Sequence, residues 1–101
     1  MGADNRFTNH LSSAESEGLA ILAEECGEVI QVIGKILRHG YDSTHPNGGL
    51  SNRQLLEAEL GDIRMVQNLL CKEGHLDKLN IEAFSVQKEK SVRKYLHHIK
   101  I

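Results

Sequence analysis

Two pairs of acidic residues stand where a helix is expected to be apolar. Glu25 lies three residues after Leu22 and four before Val29, and Glu28 follows one turn on, between Glu25 and Val32. A second segment repeats the arrangement: Glu59 lies three after Leu56 and four before Ile63, with Asp62 between Glu59 and Val66. Residues three and four apart share a helix face, so each segment carries a carboxylate pair at the edge of its apolar stripe. Burying an unpaired carboxylate is costly and forces either a raised pKa or a partner. If the two stripes meet, four carboxylates converge. Two like charges about 4 Å apart repel by roughly 4 kcal/mol at an effective dielectric of about 20, so such a cluster needs cations. A ligand set made only of hard oxygens, without His or Cys, suits Mg2+ or Mn2+ rather than zinc.

The competing reading is a solvated acidic face whose members pair with bases one turn away. The sequence offers few such bases. Glu25, Glu28 and Asp62 have no Lys or Arg three or four residues on, and Glu59 has none on its C-terminal side. Gly27 and Gly61 each directly precede the last acid of a pair. Each costs its helix roughly 1 kcal/mol relative to Ala. A small residue there admits either a ligand or a neighbouring helix.

Glu24-Glu25-Cys26-Gly27-Glu28 followed by Glu59-Leu60-Gly61-Asp62 resembles the EExxE…ExxD signature of the MazG-like, all-α nucleoside triphosphate pyrophosphohydrolases. That superfamily also holds dimeric dUTPases, dCTP pyrophosphatases and phosphoribosyl-ATP pyrophosphohydrolase. The likeness spans residues 12–98 and is strongest over 19–40, which looks like the short single-domain members of phages and bacteria. It implies an all-α helical bundle with long antiparallel helices, usually a dimer or tetramer. It also implies Mg2+, with Mn2+ as the alternative, held by Glu25, Glu28, Glu59 and Asp62. Glu24 matches the first Glu of the signature and is expected to help bind metal or orient water. The implied reaction splits a nucleoside triphosphate between the α and β phosphates, giving a monophosphate and pyrophosphate. That chemistry suits these residues: metal ions neutralise phosphate oxygens and acidify water, and a carboxylate, here Glu24 or Glu28, takes the proton. The loop between the two motifs is long, and in this superfamily that region varies with substrate and assembly, so the resemblance leaves the base and sugar open.

Four further residues are candidates for binding substrate. Lys88 sits four after Phe84 and four before Val92, inside the apolar stripe of a third helix. A Lys there either snorkels to water or meets an anion, and the family's last helix commonly supplies a base to the phosphates. Lys35 comes seven residues after Glu28, on nearly the same face, with Arg38 a turn beyond. Either is placed to contact a phosphate or to serve as surface charge. Asn68, below Asp62, is placed to read a sugar or base edge, or to cap. Lys90, Arg93 and Lys94 read as a solvated basic face. None of the six histidines has metal-ligand spacing.

Three amphipathic helices must position these groups. Ser12 with Glu15 forms a capping box ahead of Leu19, Leu22, Cys26, Val29, Ile30, Ile33 and Leu37, which recur at helical spacing. Gly40 is available as a left-handed cap. Residues 39–51 form a polar loop with the single Pro and the pair Gly48–Gly49. Ser51 with Gln54 is a second capping box, opening a helix through Leu55, Leu56, Leu60, Ile63, Val66, Leu69 and Leu70 that ends at Gly74. A third helix is expected from Asp77 or Asn80 through Ile81, Phe84, Val92, Tyr95, Leu96 and Ile99. Residues 1–11 read as a loose leader.

At 101 residues, 40% hydrophobic and 26% charged, the chain fits one soluble domain. Aromatics are 4% and Trp is absent, so aliphatic packing must build the core. The net charge of −2 gives no global attraction to nucleic acid or to an anionic membrane. The acids crowd the first half and the bases the end, so packing those segments together would set them face to face. Cys26 and Cys71 fall at apolar helical positions and read as reduced core residues. No apolar run approaches the ~20 residues that span a bilayer, and the N-terminus lacks a signal-peptide h-region, so a cytoplasmic protein is expected. Three helices make a thin core, which favours self-association. The reading from a different class is a helical interaction module, or a metal- or nucleotide-binding module without turnover.

Overall fold

The computed structural model describes residues 8–101; most of the expected leader, residues 1–7, lies outside the described residues. The fold is all-α, a helical bundle whose two long helices run antiparallel. Helix α1 spans Ser13–His39. The Ser12 hydroxyl accepts from the Glu15 N–H at 3.0 Å while the Glu15 carboxylate accepts from the Ser12 N–H at 2.8 Å. Two of the four free N–H groups that open a helix are thus satisfied. At the other end the Gly40 N–H donates to Ile36 O at 2.7 Å. Its φ of 89° with ψ of 168° is a turn that glycine makes without steric cost, although its ψ is extended rather than left-handed helical.

Residues 41–51 are tied back onto the start of α2, which spans Asn52–Lys72. The N–H groups of Asn52 and Arg53 donate to Ser43 O at 2.9 Å and Tyr41 O at 2.8 Å. An isolated antiparallel bridge joins Thr44 to Ser51. Asn52 is buried and its Nδ2 donates to Gly40 O at 3.1 Å. Arg53 pairs with Asp42 at 3.3 Å and lies over the Tyr41 ring. The expected capping box at Ser51 and Gln54 is present.

The core lies between α1 and α2, where Val66 is fully buried and Leu70 and Val32 nearly so. Gly18 is buried against Leu70, and a Cβ at that position would run into the Leu70 side chain. Gly18→Ala is therefore expected to destabilise the fold by about 1 kcal/mol net. Overpacking a core costs ~1–3 kcal/mol, and the better helix propensity of Ala offsets up to ~1 kcal/mol of that. Chemical denaturation measures the difference; a variant more stable than the parent would show that Leu70 moves aside freely.

Helix α3, Lys78–Val92, is capped by Asp77, whose carboxylate accepts from the Leu79 N–H at 2.8 Å and the Asn80 N–H at 3.3 Å. It ends earlier than the periodicity predicts. A 3-10 turn covers Arg93–Tyr95 and the chain beyond is not helical. Helices draw most of their stability from packing an apolar face, and α3 has none packed: no residue of it is buried. Phe84 is 66% exposed and Leu79 80%. The α1 stripe is likewise only partly covered, with Ile30 and Leu37 exposed. Cys26, expected in the core, is exposed, because nothing among the described residues covers that face of α1; Cys71 is half-buried. The radius of gyration is 18.2 Å, against about 13 Å for a globular chain of this length.

Candidate metal centre

The antiparallel register sets the middle of α1 against the middle of α2. Glu25, Glu28, Glu59 and Asp62 each offer one carboxylate oxygen, and those oxygens all lie within 4.8 Å of one another. The first three side chains are half-buried and Asp62 is exposed. One oxygen each of Glu25 and Glu59 (Oε2 in both) is sealed from solvent with no hydrogen-bond partner. A buried acceptor without a donor is expensive, and a cation is the partner that satisfies several such oxygens at once. Oxygen donors alone, at this spacing, fit a hard divalent ion. Among the described residues no Lys, Arg or His enters the cluster.

The electrostatics follow from the crowding. The Glu28 carboxylate beside Glu59, which favours a proton shared between them, is the largest influence on Glu59; burial and the charges of Glu28, Asp62 and Glu25 add to it. Together they push its pKa up to about 7 from an ordinary 4.5. Glu25 is also raised, first by burial and then by the charges of Glu28 and Asp62.

A carboxyl whose folded pKa exceeds its unfolded one holds its proton longer in the folded state. Between pH 4.5 and about 7 the folded protein thus binds more protons than the unfolded chain, so metal-free stability is expected to fall as pH rises through that window. It should level off above the window. Thermal melts in chelator across pH 4.5–8 measure this, and saturating Mg2+ should flatten or reverse the slope. A metal-free stability that is constant over the window would mean the carboxylates do not repel.

The remaining expected residues are dispersed. Glu24 is exposed and outside the cluster, although its charge also reaches Glu25. Lys35 and Arg38 sit at the end of α1, where they line a cavity with the 43–46 segment and the start of α2. Asn68 is exposed on α2. Lys88 is exposed on α3, which does not pack along the α1–α2 hairpin. Within one chain the basic C-terminal segment and the acids therefore do not meet face to face. Helical spacing does not single out Ser43, Thr44, His45 or Asn52, which join Lys35 and Arg38 in the cavity; the loop's hydroxyl and imidazole content was the sole signal. Gly27 and Gly61 face open space, with nothing within 4 Å of a Cβ at either position, so neither serves packing between α1 and α2.

Among known families, the MazG nucleotide pyrophosphohydrolase domain matches the chain over residues 14–97. No curated protein and no solved structure matches the chain.

Proposed function

The chain belongs to the MazG nucleotide pyrophosphohydrolase domain family, and from that premise we propose that it hydrolyses a (deoxy)nucleoside triphosphate between the α and β phosphates, using Mg2+. The observation that carries this reading is the convergence of four carboxylate oxygens within 4.8 Å, two of the side chains bearing a sealed oxygen without a partner. Glu25, Glu28, Glu59 and Asp62 would hold the metal, with Mn2+ an acceptable substitute. When bound, the ion supplies charge neutralisation at the phosphate oxygens and makes water more acidic.

The chain's own residues do the rest. Glu24, outside the ligand set and open to solvent, takes the proton of the attacking water; Glu28 is the second candidate for that role. The half-buried position of Glu25, Glu28 and Glu59 lowers the local dielectric and strengthens their interaction with a bound cation. Water adds across the α–β anhydride, the bridging oxygen leaves with the pyrophosphate, and the products are a nucleoside monophosphate and pyrophosphate.

The functional unit we propose is a homo-oligomer, a dimer or tetramer. It is supported by the unburied α3 and by the extent of exposed surface. A folded monomer of this mass exposes roughly 5,700 Å2, whereas this chain exposes 8480 Å2. In such an assembly α3 of one copy would bring Lys88, and Asn68 its side-chain amide, to substrate held by the acids of another. No helix of the described residues is long and apolar enough to cross a membrane, and we take the cytoplasm as the setting. Nucleic acid has no part in this reading.

A panel of NTPs, dNTPs and phosphoribosyl-ATP, with and without Mg2+, tests the proposal by pyrophosphate release. Metal-dependent release from at least one substrate is expected. No release from any, with thermal stability unaltered by metal, would instead favour a helical interaction module.

A further inference from the structure

Beside the acidic cluster lies a second chemical environment of opposite sign. The last turns of α1, the 43–46 segment and the first turn of α2 enclose an open cavity of about 460 Å3. Lys35, Arg38, His39, Thr44, His45 and Asn52 are its principal polar lining, and not one carboxylate lines it, in a chain with 14 acids. Neither Lys35 nor Arg38 has an acidic partner among the described residues, where the ion pair is Arg53–Asp42. The loop part of the lining is held in place. His45 Nδ1 accepts from the Asn47 N–H at 3.1 Å, so its Nε2 is the nitrogen left to donate. The loop that carries it is fixed by the Asn52 and Arg53 backbone bonds to Ser43 O and Tyr41 O.

Position ties this cavity to the cluster. Lys35 is seven residues from Glu28, two helical turns and ~20° of drift, hence about 10 Å along one face. Side chains on a helix lean toward its N-terminus, which on α1 is toward Glu28. Arg38 shows that lean: its Nη1 comes within 3.4 Å of the space a Cβ on Gly34 would fill. From the α2 side, Leu55 of the lining is one turn from Glu59. The acids and the unpaired Lys35 thus lie about two turns apart on one side of α1.

We propose that this cavity is the phosphate end of the substrate site: Lys35 and Arg38 hold the terminal phosphates of the triphosphate, and afterwards the pyrophosphate, while the acids and their metal hold the bond being cleaved. The assignment rests on the hydrolase reading above and adds an orientation to it. The pyrophosphate end carries most of the substrate's charge and matches a lining of cations and N–H or O–H donors. The nucleoside end would leave those cations unpaired.

Inorganic pyrophosphate is the probe. Calorimetric titration into the full chain, in chelator and then in Mg2+, should show binding in both conditions, with amide shifts in NMR spectra concentrated at Ser43–Leu55. The double variant Lys35→Gln/Arg38→Gln should raise Kd at least tenfold in chelator, with an unchanged circular dichroism spectrum; Lys35→Arg should retain most of the affinity. Asp62→Asn should keep metal-free pyrophosphate binding. Pyrophosphate that binds the double variant as tightly as the parent, or that shifts amides elsewhere only, overturns the assignment. Its failure is distinguishable from that of the hydrolase reading: a chain that binds pyrophosphate through Lys35 and Arg38 but releases none from any nucleotide keeps the phosphate subsite and loses the reaction.

Discussion

Asp62→Asn is expected to lower turnover at least ~100-fold while leaving the helices intact, the scale seen when one group that stabilises transition-state charge is removed. Asp62 is the exposed member of the cluster, so the amide fits without repacking. The same change should raise metal-free stability, because the Asp62 charge is among those that push Glu59 and Glu25 up. The two effects have opposite signs in one variant, which separates loss of function from loss of fold. Activity assays at saturating Mg2+ and melts in chelator measure them. Full turnover in the variant would remove Asp62 from the site; a lowered metal-free melting temperature would mean that its charge is stabilising and the cluster is not repulsive.

Lys88→Ala is expected to weaken substrate binding about tenfold or more, the loss of one charge-assisted contact to phosphate, chiefly in KM. The effect depends on a second copy, since Lys88 stands on a helix that leaves the hairpin of its own chain. At substrate well below KM, mixing inactive Asp62→Asn with Lys88→Ala under conditions that exchange subunits should therefore raise activity above that of either variant alone. In a two-fold dimer half of the assemblies are mixed and one of their two sites is intact, giving roughly a quarter of parental activity. Phe84→Glu on the same helix should yield monomers by sedimentation and abolish the recovery. Unchanged kinetics for Lys88→Ala would return that side chain to the surface, and recovery absent from a mixture of exchanging oligomers would confine each site to one chain.

The acids of the cluster and a metal held by them would divide the work. Folding brings four acids together at a cost that appears as raised pKa values for Glu25 and Glu59. A divalent ion held there would offset that cost on binding, so affinity for metal and metal-free instability would have one source. Metal binding at such a cluster should tighten with pH through the window in which Glu59 loses its proton, because the ligand must be deprotonated to bind.

The sequence by itself determined the two long helices and the acids that meet between them. Capping boxes at Ser12 and Ser51 are local hydrogen-bonding patterns, readable at three-residue spacing, and both formed as written. The acids were legible for a related reason: a carboxylate at an apolar helix position, without a base one turn on, has few explanations. What the tertiary structure decided was everything that depends on contact between distant segments. The antiparallel register fixes Glu25 and Glu28 against Glu59 and Asp62, and periodicity within one helix says nothing about register with another. The fold-back of Ser43 and Thr44 onto Asn52 and Ser51, which turns Lys35 and Arg38 into one wall of a cavity, comes from loop hydrogen bonds without a repeating pattern. The course of α3 is the clearest case. Its apolar spacing predicts a buried stripe through Ile99, yet the helix stops at Val92 with no side chain buried. Amphipathicity states that a face wants covering, and only the arrangement in space states what is there to cover it.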